Sequence, residues 1–135
     1  MMTLRDAAAL LCLTLSLAGC ADKVTEATYT DEGTACLDAP EADGAAVITV
    51  DPDLCLSSSC DSLTSAACTA TVDGDTITVT STFVVESSGD TCTADCGMPT
   101  ATCDLGALPA GTYTVVYGGV ETTVAVPTTE ECSAY

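Results

Sequence analysis

Residues 68–83 read CTATVDGDTITVTSTF, and this stretch decides the fold class. On both sides of Asp73-Gly74, apolar and polar residues alternate with the period of a half-buried β-strand. An Asp-Gly pair between two alternating segments is a strong signal for a β-hairpin with a two-residue turn. With Asp73 and Gly74 at the tip, Cys68 is expected opposite Val79. The chain is therefore expected to be built from antiparallel strands.

The two faces of this predicted hairpin differ in polarity. One face is apolar, and the other is made of threonine, which suits a solvated strand face because it is β-branched and polar. Cys68 belongs to the apolar face and should point into the core, where a disulfide between two sheets would lie. The apolar face consists of Cys68, Ala70, Val72, Ile77, Val79 and Phe83. The threonine face consists of Thr69, Thr71, Thr76, Thr78, Thr80 and Thr82.

A second hairpin is expected around Gly118-Gly119, between the segments 112–117 and 120–126. Both segments are rich in β-branched and aromatic residues, and a Gly-Gly pair suits a two-residue turn. The expected cross-strand pairs are Tyr117 with Val120, Val115 with Thr122, and Tyr113 with Val124. Further strands are expected at 45–50 and 100–105, and loops at 55–65 and 87–100.

The segment LPAGTYTV at residues 108–115 resembles the corner before a late strand of immunoglobulin-like and transthyretin-like β-sandwiches. In those folds a tyrosine hydroxyl bonds the backbone a few residues upstream, and the resemblance implies this role for Tyr113. About seven strands are expected at the spacing of a sandwich. The predicted fold class is therefore all-β, a small disulfide-rich immunoglobulin-like β-sandwich, with a small barrel as the alternative.

The first twenty residues, MMTLRDAAALLCLTLSLAGC, are typical of an export signal. The apolar run at 7–17 is shorter than the roughly 20 residues that span a bilayer and has the length of a signal-peptide core. The ending LAGC at 17–20 resembles the lipobox of bacterial lipoproteins. This resemblance implies removal of residues 1–19 and lipid on Cys20, so that the protein is anchored to a membrane without spanning it. A plain secretory signal with a chance cysteine is the alternative.

These patterns divide the chain into four parts. Residues 21–44 carry charges, Thr, Ala and Gly without periodicity and are interpreted as a flexible tether. Ala21 follows Cys20, which by the lipoprotein resemblance favours the outer membrane of the bacterial cell envelope. The four parts are the removed signal peptide (1–19), the lipidated cysteine and flexible tether (20–44), the β-sandwich (45–127) and a C-terminal tail tied back by Cys132 (128–135).

Ten cysteines point to an oxidising compartment. Loss of Cys12 with the signal and lipidation of Cys20 would leave eight, which predicts four disulfides whose connectivity the sequence leaves open. The chain has no histidine and no C-x2-C spacing, so a zinc site is not expected. No metal and no cofactor are therefore predicted. The disulfide cysteines are expected to be Cys36, Cys55, Cys60, Cys68, Cys92, Cys96, Cys103 and Cys132.

The charge of the chain restricts its function. There are 20 acidic residues against 2 basic ones, a formal net charge of -18. Nucleic-acid binding is not expected, because it needs lysine and arginine to neutralise phosphates. The absence of histidine excludes the Ser-His-Asp triad and the HExxH zinc site. The sequence predicts a lipid-anchored, non-catalytic module of the cell envelope, with a binding or structural role and an envelope protein or a glycan as partner.

Two alternatives to this function stay open. Asp51, Asp53, Asp90 and Asp95 lie in predicted loops and could offer the oxygen ligands that Ca²⁺ takes. The chain would then be a Ca²⁺-dependent surface-binding or carbohydrate-binding domain. A pair of carboxylates could also hydrolyse glycosides. The absence of tryptophan argues against that activity, since glycosidase clefts usually carry aromatic residues.

Overall fold

The computed structural model describes residues 23–133. The signal peptide, the lipobox and the lipid on Cys20 fall outside these residues and stay predictions. Within 23–133 the chain forms nine β-strands, and it has no helix that could cross a membrane. The strands are β1 (Thr25–Thr30), β2 (Thr34–Ala39), β3 (Gly44–Asp51), β4 (Asp61–Asp73), β5 (Thr76–Ser87), β6 (Ala101–Leu108), β7 (Gly111–Tyr117), β8 (Val120–Val126) and β9 (Thr128–Cys132).

The nine strands form two sheets that enclose one core. In the five-stranded sheet, β5 is central: β4 pairs along one side, β1 and β7 share the other side, and β8 pairs with β7. The four-stranded sheet has the order β6-β3-β2-β9. The core lies between the sheets, and its largest fully buried side chains include Tyr117, Phe83, Leu37 and Ile48. The predicted all-β, disulfide-rich sandwich is therefore confirmed.

The first predicted hairpin is present, with its turn moved by one residue. Cys68 lies opposite Ser81, not opposite Val79, because Gly74 and Asp75 form the turn. Gly74 has a φ of 59°. In the observed turn the left-handed conformation falls on glycine, which adopts it without strain. A turn at Asp73-Gly74 would have required this conformation of Asp73 as well. The register changes by two positions, so the predicted apolar and threonine faces are kept.

The second hairpin has the predicted register. Tyr117 pairs with Val120, and the two other expected pairs are also present. Gly118 and Gly119 both have positive φ, which is the requirement of a type I′ turn. The hydroxyl of Tyr113 donates to the carbonyl oxygen of Pro109 at 3.0 Å, so the predicted tyrosine corner is confirmed.

The predicted tether at residues 20–44 is wrong over β1 and β2. β1 pairs with the end of β5, and β2 lies between β3 and β9. β2 buries Ala35, Leu37 and Ala39, but two of these are alanines, which give a weak apolar pattern. The tail beyond residue 127 likewise contains a strand, β9. These additions make nine strands where about seven were expected.

The predicted loop at 55–65 ends earlier than expected, since β4 begins at Asp61. The first half of β4 has no alternation of apolar and polar residues. It is a strand because the backbone pairs with β5, and most of its side chains are exposed. A periodicity search detects strands that bury one face, so it missed this half.

Candidate functional site

The outer face of the four-stranded sheet carries an open groove of about 560 Å³. Strand alternation sends Leu37 into the core and turns Cys36 and Asp38 to the opposite face. On the neighbouring strand, Val47 lies opposite Asp38 and Thr49 lies opposite Cys36. These side chains of β2 and β3 form the floor of the groove, which is partly apolar and partly polar.

β9 forms one wall of this groove. Cys132 lies opposite Cys36, with their Cα atoms 3.9 Å apart, and the two form a disulfide. The register between β9 and β2 shifts next to this pair, and Glu130 has a φ of 51°. A carboxylate oxygen of Glu130 lies within 4.8 Å of both sulfur atoms. Because the sulfurs are bonded to each other, they are not available as thiolate metal ligands.

Three carboxylates line the groove, from Asp38, Asp51 and Glu130. Asp51 lies four residues beyond Val47 on β3, which places it about 14 Å from Asp38 at the rise of a strand. An oxygen of Asp51 accepts a hydrogen bond from the backbone N–H of Asp53 at 2.9 Å. No basic side chain lines the groove. The groove therefore combines a strongly negative rim with a small apolar floor.

The eight cysteines predicted to pair form four disulfides. Two of these lock the loops 55–60 and 88–97 together, and backbone hydrogen bonds between Leu56 and Gly97 at 2.8 and 2.9 Å join the same loops. A third disulfide joins the two sheets, as the inward orientation of Cys68 predicted. The pairs are Cys36–Cys132, Cys55–Cys96, Cys60–Cys92 and Cys68–Cys103.

The four aspartates proposed as Ca²⁺ ligands do not form a common cluster. Within residues 23–133, three ligand atoms of acidic or cysteine side chains come together at Cys36, Glu130 and Cys132, and none of the four aspartates belongs to this cluster. Asp51 and Asp53 lie at the end of β3. Asp95, in the disulfide-locked loops, accepts hydrogen bonds from the backbone N–H of Ser58 at 3.1 Å and from the hydroxyl of Thr93.

Two carboxyl groups beside these loops have lowered pKa values. Hydrogen bonds from the Ser58 and Thr93 side chains, with the Ser58 backbone, lower the pKa of Asp95 to about 2. The hydroxyl of Ser87, at 2.6 Å, and the backbone N–H of Ser57, at 2.7 Å, lower the pKa of Asp61. Hydrogen bonds to the charged form favour it, so these carboxylates stay ionised. Asp95 joins the two loops to each other, and Asp61 joins the loop 55–60 to the start of β4.

The lowered pKa of Asp95 predicts a pH-dependent stability. A carboxyl whose folded pKa is depressed stabilises the fold above its ordinary pKa, and this stability is lost as the pH falls from 3.8 towards about 2. We expect Asp95→Asn to lower the melting temperature at neutral pH, and the difference from wild type to vanish at the acid end of that range. Thermal denaturation monitored by circular dichroism across this range measures it.

Asp90→Asn is the matched control for this titration. Asp90 is exposed in the same loop. A difference between Asp95→Asn and wild type that persists unchanged below the lowered pKa would contradict the assignment. An equal effect of Asp90→Asn would show that loop charge, and not these hydrogen bonds, is the cause.

Residues 53–126 match the family model of the ORF11 beta-sandwich domain. The chain belongs to this family. None of the curated proteins and none of the solved structures compared with the chain is similar to it. The family match covers β4 to β8, whereas β1, β2, β3 and β9 lie outside it. Nearly all of the groove is therefore built from parts of the chain that flank the ORF11 beta-sandwich domain.

Sequence reasoning missed the groove because it missed β2 and β9. Asp38 and Glu130 lie in segments that were interpreted as tether and tail. One signal was present: Ala35, Leu37 and Ala39 alternate with polar residues, and Cys36 stands among them. That alternation predicts a strand with Cys36 and Asp38 on one face.

Proposed function

We propose that the chain is a lipid-anchored, non-catalytic module of the bacterial cell envelope that binds a basic segment of a partner protein in the acidic groove. The proposed anchor is lipid on Cys20, in the outer membrane. It rests on the lipobox-like ending LAGC at residues 17–20. Four disulfides support an oxidising compartment, in which such bonds persist.

The groove carries the proposal of a basic partner. Its three carboxylates have no lysine or arginine beside them, and Lys23 is the one basic side chain in residues 23–133. Complementary charge steers a partner to such a surface and gives it specificity. The apolar floor at Val47 and Pro40 suits the methylene stems of lysine and arginine side chains, which pack on apolar surface while their charged ends stay in water.

The spacing of Asp38 and Asp51 along the groove suits the binding of an extended peptide. The backbones of Asp38 and Asp51 are about 14 Å apart along the sheet. A separation of this length matches residues i and i+4 of an extended peptide, which point to the same face.

A peptide-binding experiment tests the groove. The probe is a labelled peptide of alternating lysine and valine, titrated with the purified protein at low and at high salt. We expect binding at low salt that salt weakens, because exposed charge pairs are screened. We expect Asp38→Asn/Glu130→Gln to weaken binding by about two- to thirtyfold, since each exposed pair contributes about 0.2 to 1 kcal/mol. Fluorescence anisotropy measures the dissociation constants.

The matched control is Glu26→Gln/Glu121→Gln. It removes the same amount of charge, but from β1 and β8 of the other sheet. Equal weakening by the two double variants would show that net charge alone attracts the peptide, and the groove would then be rejected as the site. Absence of binding at low salt would reject the basic partner.

A further inference from the structure

Strand pairing places the start of β1 beside two loops. Thr25, the first residue of β1, pairs with Ser87, the last residue of β5. Asp61, the first residue of β4, pairs with the same residue of β5 from the other side. The loop 55–60 leads into β4, and the loop 88–97 follows β5. These two loops and the start of β1 therefore form one end of the sandwich, which we call the loop end.

The loop end is close to the proposed lipid. Cys20 precedes Thr25 by five residues. An extended chain spans at most about 3.6 Å for each residue, so the Cα atoms of these two residues are no more than about 18 Å apart. β4 alone, with 13 residues, is about 40 Å long. A chain that is anchored through Cys20 therefore keeps its loop end nearer to the bilayer than the opposite end.

Exposed apolar side chains are concentrated at the loop end. Within residues 23–133, four large apolar side chains are exposed, and three of them lie at this end: Val24 (58% exposed), Leu63 (39%) and Met98 (64%). Val24 directly precedes β1, Leu63 is the third residue of β4, and Met98 directly follows the loop 88–97. The fourth, Val72, lies near the turn between β4 and β5, at the opposite end. Exposed apolar side chains that polar residues surround mark surfaces for a protein or a membrane.

The charges at the loop end favour one kind of membrane surface. Lys23, the one basic side chain in residues 23–133, is exposed and lies two residues before β1. A lysine beside a membrane anchor is attracted to lipid phosphates. The acids at this end include Asp61, Asp90 and Asp95, with Glu26 and Glu86 on the adjoining strands. An anionic surface would repel these acids, whereas a zwitterionic phospholipid surface carries no net charge to oppose them.

We propose that the loop end lies on the surface of a bilayer of zwitterionic phospholipid, with Val24 and Met98 in contact with the lipid. The orientation depends on the lipid proposed for Cys20 and not on the binding of a peptide. The anchor makes the contact intramolecular, so a few apolar side chains are enough to orient the sandwich. The acidic groove lies on the outer face of the four-stranded sheet, so this orientation leaves it open to a partner.

Tryptophan fluorescence tests the orientation, because the chain has no tryptophan of its own. Met98→Trp and Val72→Trp each place one tryptophan at an exposed apolar position, at opposite ends of the sandwich. The full-length proteins, purified from membranes, are added to phosphatidylcholine vesicles with bromine, which quenches tryptophan, on the acyl chains near the headgroups. Relative to vesicles without bromine, we expect Met98→Trp to lose much of its fluorescence and Val72→Trp to keep it.

Two further measurements separate this orientation from the anchor itself. Flotation with the vesicles and the mass of each protein show whether the chain is acylated and bound. A chain without acyl mass that does not float would overturn the anchor, and the orientation with it. An acylated chain that floats, but whose two tryptophans are quenched equally or not at all, would overturn the orientation alone. Val24→Trp, at the second exposed position, decides the matter should Met98→Trp fail to fold by circular dichroism.

Discussion

Removal of the disulfide between Cys68 and Cys103 is expected to lower the free energy of unfolding by about 2 to 4 kcal/mol. This bridge joins β4 in one sheet to β6 in the other. The variant Cys68→Ala/Cys103→Ala releases the unfolded chain from a closed loop and leaves space where Cys103, 3% exposed, fills the core. Denaturant titration of the purified variant and wild type measures the loss.

The variant Cys60→Ala/Cys92→Ala is the matched control. Its cysteines are 32 residues apart, against 35 for the bridge between the sheets. Chain entropy therefore predicts nearly equal losses from the two variants. Cys103 belongs to the main core cluster and Cys68 packs against it, whereas Cys60 and Cys92 lie outside that cluster, so we expect the control to lose less. A loss below about 1 kcal/mol for the Cys68 and Cys103 variant would contradict the structural role of the bridge.

The composition of the core explains why removal of one disulfide is expected to have a large effect. The chain has one phenylalanine and no tryptophan, and the buried cluster includes the small side chains of Ala35, Ala39 and Ala46. Domains are typically stable by roughly 5 to 15 kcal/mol. A core of small side chains contributes little to a stability of this size. Covalent links therefore supply a substantial fraction of it.

The two hairpins could be predicted because their signals are local. The turn glycines and the alternation on either side act within a few residues, as in the pairing of Tyr117 with Val120. β1 has no comparable signal, since nearly all of its side chains are exposed and its pairing partners on β5 lie more than fifty residues away. β1 is a strand because it pairs with β5, and no pattern within β1 indicates this pairing.

The groove could not be predicted for a related reason. Its floor comes from β2 and β3, and its wall comes from β9, near the end of the described chain. Cysteine counting identified both Cys36 and Cys132 as disulfide residues, but eight cysteines allow 105 connectivities. To predict that Glu130 lies beside Cys36, one must know the order of the strands in the sheet. That order follows from contacts between distant segments.

Replacement of Cys20 by serine is expected to abolish acylation of the chain. The proposed acyl chains contribute about 0.8 kcal/mol for each buried methylene, and two chains hold a protein on a membrane where a single short one does not. Serine lacks the thiol that is acylated, so a change of one atom would remove the acyl chains. Mass spectrometry of the protein isolated from cells that express the full-length chain measures the acyl mass and the first residue.

Cys12→Ser is the control for this replacement. Cys12 lies in the segment 1–19, which the proposal expects to be removed, so its replacement should leave the protein acylated. The same measurement separates two kinds of attachment. If the apolar run at 7–17 held the protein on the membrane, wild type would keep its first residues and carry no acyl mass. Lipid attachment instead requires that wild type begin at Cys20 with added acyl mass, and that Cys20→Ser lose this mass while Cys12→Ser keeps it.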